Sequence, residues 1–353
     1  MNELTALLIE ISGGNTLVFA LMGGIMLLTS AICFFVLAGS AGYLTILLSI
    51  AACAYPVARV KAIGTPFVRE ENLNILFEAG HLSDALSRIQ ATGFLTGTLE
   101  HEGVSIEEML EQEEMNEFPT LLSSMPTDFA PFFTSYQNIF ERRMIKRLIR
   151  MIHNGNPQEE IIQRVRPTGI LTQDLITRIA TGTSLDDGLH LLTGTPYDFL
   201  AAHPLHLYHE QGTLLPFEIA LDRYGSDQLR QSCSLIRSQL AAPFRDLVST
   251  MTDIQNIRTL IRAKHAGLSP TYISSCFLDG GARFPGWRLI QLNEMMSVPD
   301  LVGQLSGTAY IQLLQPLLPG YPSPDSLIQF DLALDRFFLQ AVARISLVYY
   351  YTG

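Results

Sequence analysis

Three histidines, His203, His206 and His209, stand three residues apart in the run HPLHLYH. On a helix, residues at i and i+3 are neighbours, so two of these imidazoles could share a metal ion. Only Glu210 stands nearby to extend the ligand set, and the third histidine drifts round the helix. A partly buried or solvated helix is therefore the expectation, with a metalloenzyme built on His203, His206 and His209 as the alternative. A second cluster, EHEGVSIEEMLEQEEMNE from Glu100 to Glu117, is rich in carboxylates. It lacks the alternating oxygen ligands and the glycine of a calcium loop, so it reads as a solvated helix or an acidic docking face. The chain has no GxxxxGK[ST] loop, no GxGxxG opening a helix after a strand, no GxSxG elbow and no HExxH. No catalytic residue and no cofactor is expected.

The basic residues carry more information. Arg143, Lys146, Arg147 and Arg150 in one segment, and Arg258, Arg262 and Lys264 in another, project from helices whose opposite face is apolar. Two readings stay open. The charges form a solvated face with intrahelical ion pairs, or they line a socket and offer guanidinium groups to an acidic partner or to helix C-termini. Arg258 and Arg262, four apart, can address a single partner. Asn256 is expected to cap or brace a neighbour.

The elements that must position these residues repeat. From Arg59 onward apolar residues recur at three and four positions, so the soluble part is expected to be helical throughout. LITRIATGTSLDDGLHLLTGTPY (Leu175 to Tyr197) realigns without a gap on RLIQLNEMMSVPDLVGQLSGTAY (Arg288 to Tyr310) at a shift of 113. FEIALDRY (Phe217 to Tyr224) lands on FDLALDRF (Phe330 to Phe337) at the same shift. ERRMIKRLIRMIHNG (Glu141 to Gly155) aligns with DIQNIRTLIRAKHAG (Asp253 to Gly267) at 112, and both copies end on a helix-stopping glycine. An earlier copy starts at ENLNILFEAGHLSDALSRIQATGF, where Asp84, Leu86, Ile89, Thr92 and Phe94 match at 103. The predicted fold is all-α: three pseudo-repeated helical units, 59–170, 171–283 and an incomplete 284–353, packed into one elongated body.

Ahead of them lies an anchor, 1–58. Of 353 residues only 16% are charged against 48% hydrophobic, and the mean hydropathy of +0.23 is high for a soluble chain. No Asp, Glu, Lys or Arg occurs between Glu10 and Arg59. Thr16 to Leu37 is long enough to cross a bilayer, and the start is acidic rather than basic, so it reads as an anchor and not a cleavable signal. Gly39 to Gly42 reads as a plausible turn into a second, shorter run, Tyr43 to Val57. One span or a hairpin both remain open. Arg59, Lys61 and Arg69 put the end of this region on the cytoplasmic side. The net charge of −11 excludes a nucleic-acid binder. Four cysteines without paired spacing exclude a disulfide framework or a zinc site.

AYPVARVKAI, DIQNIRTLIRAKHAGLS, the paired glycines of LDGGA, and FDLALDRFF resemble the C-subunit family of archaeal A-type and bacterial V-type ATPases, related to the d subunit of the eukaryotic vacuolar enzyme. The resemblance runs from about Tyr55 to Gly353. It implies a funnel of three pseudo-three-fold helical units without catalysis, a central-stalk rotor part joining the soluble axle subunits to the proteolipid ring that translocates protons or sodium ions. It also implies a place on the cytoplasmic face of the cell membrane. Two departures accompany it. A membrane segment precedes the ARV motif, which suggests a tethered variant. The third basic helix, expected near residue 366, lies past Gly353, so the third unit is expected to be incomplete. A membrane-anchored helical-repeat scaffold with another partner is the remaining alternative.

Overall fold

In a computed structural model, residues 16–64, 78–91, 106–123, 125–182, 184–236, 241–323 and 325–348 are described. The chain divides into two units, Met1–Tyr55 and Pro56–Gly353. Among the described residues the secondary structure is helical, without strands beyond one isolated bridge between Thr168 and Leu171.

The first helix, α1 (Thr16–Gly64), has 49 residues with Pro56 inside it. Gly39, Ser40, Ala41 and Gly42 lie inside it, so the turn of the hairpin reading does not form. Small residues permit a turn but do not impose one, and Ser40 Oγ donates to the Leu37 carbonyl at 2.9 Å, a bond made within the helix. Gly23–Ala41 is apolar enough to cross a membrane and none of it is buried. At 1.5 Å per residue, 19 residues rise about 28 Å, close to the hydrocarbon thickness.

Two short helices follow: α2 (Leu82–Ala91) and the acidic α3 (Ile106–Leu122). Thr92 and Phe94 of the earliest repeat, Arg69, the start of the acidic run and the last five residues lie outside the described residues.

Then comes a series that occurs twice. It opens with a 24-residue basic helix, α4 (Ala130–His153) and later α10 (Ala242–His265), each beginning Ala-Pro-Phe. Proline suits the first turn, where its missing N–H would have no helical partner. Both end in the same Schellman arrangement. Gly155 at φ 69° donates to Ile152 and Asn156 to Met151, while Gly267 at φ 67° donates to Lys264 and Leu268 to Ala263. Next come α5 (Gln158–Arg164) and α11 (Pro270–Ser275), then α6 (Gln173–Ala180) and α12 (Gly286–Asn293). Next are α7 (Leu185–His190) and α13 (Val298–Gly303), capped identically by Ser184 and Ser297, which accept from the N–H of Asp187 and Asp300.

Here the copies part. The first continues through a 3-10 turn into α8 (His203–Gln211), the second through α14 (Ala309–Leu314) into the 3-10 helix Gln315–Gly320. They converge again in a long helix, α9 (Leu215–Leu235) and α15 (Ser326–Val348), each with two acidic residues four apart near its start.

Each series closes its own core. Ile145, Leu148, Ile176, Leu189, Tyr197, Phe217 and Leu221 meet in one, and Ile257, Leu260, Leu289, Val302, Tyr310, Phe330 and Leu334 in the other. Equivalent residues do equivalent work, because the 3.6-residue period that aligned the sequences is also what turns these side chains inward. The two basic helices meet at their aromatic starts, where Phe132 and Phe244 stack edge to face with centroids 4.7 Å apart.

Candidate functional site

The basic residues singled out in the sequence do not stand free in solvent. Several face acidic residues on the long helix that closes the same core. Lys146 Nζ lies 2.7 Å from Asp222 Oδ1 and 3.1 Å from Glu218 Oε2, and Arg150 Nη2 lies 2.6 Å from Glu218 Oε1. In the second series Arg258 reaches Asp331 at 2.9 Å and Asp335 at 2.5 Å, and Arg262 reaches Asp331 at 2.5 Å. Lys146 matches Arg258, Arg150 matches Arg262, Glu218 matches Asp331 and Asp222 matches Asp335. The seam is one device used twice. Its partners lie some 70 residues apart, so the ion pairs are between helices and not within one. Lys264, at the end of α10, donates to the Asn293 carbonyl, and burial lowers its pKa.

Arg143 and Arg147 look the other way, toward α3. Arg147 Nη2 donates to Glu111 Oε2 at 2.7 Å and its Nη1 to the Arg164 carbonyl at 3.2 Å. Arg143 comes only to 3.7 Å from Glu114 and 3.9 Å from Glu111, and lies over the Phe140 ring. Between these helices lies a cleft of about 410 Å³, lined by Arg143, Lys146, Arg147 and Arg150, with Arg164 of α5 and Glu111 of α3. The acidic run is thus not merely solvated, since Glu111 is turned inward against α4.

Behind the seam sit groups that sequence reasoning missed. Glu141, 5% exposed, accepts from Ile170 N–H and from the Tyr197 hydroxyl. Asp253, 1% exposed, accepts from the N–H of Arg283 and Phe284 at 2.8 and 3.2 Å. Burial raises both carboxyl pKa values, that of Asp253 to about 6. Both hold the same loop, and both loops need glycine there. A Cβ at Gly169 would overlap Glu141, and one at Gly281 would overlap Asp253. Burial together with the Glu141 carboxylate drives the Tyr197 hydroxyl well above its ordinary pKa. Asn256, fully buried, braces the neighbouring loop by exchanging two bonds of 2.9 Å with the backbone of Leu278. A further repeated pair caps each basic helix: His153 Nδ1 bonds Tyr208 Oη at 2.9 Å, and His265 Nδ1 bonds Tyr321 Oη at 3.1 Å.

The histidine run does not converge. His209 pairs with Asp186 at 2.9 Å and His206 with Glu210 at 3.2 Å, and among the described residues no three ligand side chains gather to hold a metal. The geometry supplies charge, buried carboxyl pins and two closed cores.

The chain is similar to the C subunit of the A-type ATP synthase of Methanocaldococcus jannaschii, 24% identical over 304 residues, covering 85% of this chain and 76% of that one. The protein of the same name in Methanosphaera stadtmanae is 27% identical over 287 residues, covering 80% and 73%. That of Haloferax volcanii is 26% identical over 303 residues, covering 84% of each. Residues 56–352 match the family described as ATP synthase (C/AC39) subunit, and the chain belongs to that family.

Proposed function

We propose that the chain is a coupling part of the central stalk of an A/V-type rotary ATPase, without an active site of its own. It joins the soluble axle subunits to the proteolipid ring that moves protons or sodium ions. The observation that carries this reading is the family match over residues 56–352. Torque transfer needs a stiff body. Two close-packed cores, each bolted by the same pair of cations to two acids, are suited to it.

In this reading the half-exposed faces of Arg143, Arg150 and Arg262 remain available to acidic groups of the axle, while Lys146, Arg147, Arg258 and Lys264 set the positions of the helices that carry them. Electrostatic matching of that kind sets register and assembly rate more than affinity. The division into an anchor, 1–58, and helical units 59–170, 171–283 and 284–353 belongs to the same proposal. So does a place on the cytoplasmic face of the membrane, with Gly23–Ala41 as the anchoring span.

The test is purification of the tagged full chain from its own membranes. Recovery of axle and ring subunits at fixed stoichiometry supports the proposal. Recovery of unrelated partners without either set identifies a membrane-anchored scaffold and overturns it.

A further inference from the structure

The internal duplication shows how one flank of the long closing helix is used, and where the same flank is left bare. On α9, Arg223 donates to the carbonyl of Ser275, the last residue of α11, at 2.7 Å. Arg230 lies against Gly280, and α9 packs on α10, where Arg245 stands close enough to the buried Cys233 to act on its thiol. The second series therefore docks on this flank of the first. At the shift of 113, α15 carries Arg336, Leu339, Val342 and Ser346 where α9 has Arg223, Ser226, Leu229 and Cys233. No described element covers them in the same way. Val342 is 37% exposed where Leu229 is 5%, and Leu339, a leucine in place of serine, is 66% exposed. Arg336 is exposed and makes no hydrogen bond or ion pair with any described residue.

We propose that this flank of α15 is a docking seat for an amphipathic helix of another polypeptide, whose carboxyl-terminal end meets Arg336. Ile328, Leu332, Leu339 and Val342 are exposed and recur at helical spacing, on a different side from Phe330 and Leu334, which turn into the core. From Ile328 to Val342 the stripe rises about 21 Å, enough for the successive anchors of a helical partner. A helix flank presents no free backbone edge, so a strand cannot add to it. Asp335, held by Arg258, and Arg336 interrupt the stripe midway, and charge at that place sets it against a lipid surface. A second copy of this chain is also a poor occupant. Among the described residues the helices that open such a series are α4 and α10, and these already bury their aromatic starts on each other. The free guanidinium suits the last carbonyls of a partner helix, as Arg223 suits those of α11, because a cation favours the negative end of the helix dipole. The inference does not rest on the rotor reading and holds whichever polypeptide supplies the helix.

The experiment reads the reactivity of a cysteine at position 339 of the full chain, by mass spectrometry of the peptide that carries it. Leu339→Cys should react with a maleimide at least tenfold more slowly in native membranes than in the detergent-solubilised chain purified alone. Arg344→Cys, exposed on another side of α15, should react at one rate in both. Adding Arg336→Gln should narrow the tenfold gap severalfold, and since Arg336 holds nothing within the described chain, a folding defect does not account for that change. A benzophenone side chain at position 339, photoactivated in the membranes, should give one adduct with a different polypeptide, at a segment whose apolar residues recur at helical spacing. Equal labelling in the two preparations, or protection indifferent to Arg336→Gln, overturns the proposal. So does an adduct with lipid, with the same chain, with a second copy, or with a non-helical segment of another protein.

Discussion

The two copies of the series, residues 130–235 and 242–348, solve one packing problem with different electrostatics behind the seam. In the second copy the buried Asp253 is flanked by Ile254 and answered only by backbone N–H groups. In the first, Glu141 is followed by Arg142, a guanidinium only 8% exposed whose Nη1 has no hydrogen-bond partner and which packs against Gly225 and near Tyr197 and Tyr224. A carboxyl pin is thus sufficient for the fold, and a buried cation beside it is an addition that must be neutralised locally. The seam outside is nearly invariant, while the chemistry behind it is free to vary. Duplication lets each copy report which of the other's features are structural.

The sharpest way to break this comparison is Glu141→Ala. Losing the carboxylate orphans the Ile170 N–H and leaves Arg142 buried without its neighbour, so the cost should be about 3–5 kcal/mol in chemical denaturation. Asp253→Ala orphans two N–H groups but no cation, and should cost about 2–3 kcal/mol. Adding Arg142→Ile to Glu141→Ala should recover part of the loss. No recovery would mean the two copies do not differ in the way described.

The same pin makes stability depend on pH. Asp253 holds its proton more tightly in the folded chain, at a pKa of about 6, than in the unfolded one. Its contribution is therefore fully present below about pH 4 and lost as pH rises through about 6, a change of about 3 kcal/mol. Asp253→Asn should flatten the stability profile in that window. An unchanged slope would assign the titration elsewhere.

The seam comes next in size. A double-mutant cycle on Arg258 and Asp331 should give a coupling of about 1–2 kcal/mol, since both are partly shielded and hydrogen-bonded. The cycle on Lys146 and Asp222 should be somewhat weaker, because a lysine lacks the fork that grips two acids. The smallest effect belongs to the histidine run. His206→Ala with His209→Ala should shift stability by under about 0.5 kcal/mol, and added zinc should not raise the melting temperature.

Much of this was legible beforehand. The shifts of 112 and 113 located both copies, their apolar faces and their glycine stops. The seam was also written in the sequence, since the aligned segments carry cations at Lys146/Arg258 and Arg150/Arg262 and acids at Glu218/Asp331 and Asp222/Asp335. Charges that repeat together at one offset are the signal that would have found it. Considered singly, each basic helix offers only a polar face, and nothing local says that its partner lies some 70 residues on. The paired glycines of LDGGA were visible, but their reason, an approach to Asp253 too close for a Cβ, exists only once the loop is folded. The turn expected at Gly39–Gly42 failed because small residues in an apolar stretch are as compatible with helix as with a bend. His153 and Tyr208 escaped because an aromatic cap carries no spacing rule.

The account stands or falls on whether this chain moves with the rotor. In the intact ATPase, a cysteine placed at the half-exposed Arg262 and cross-linked to the axle ties one moving part to another. The account predicts that ATP hydrolysis continues at the uncross-linked rate, and an enzyme halted by that bond would contradict it.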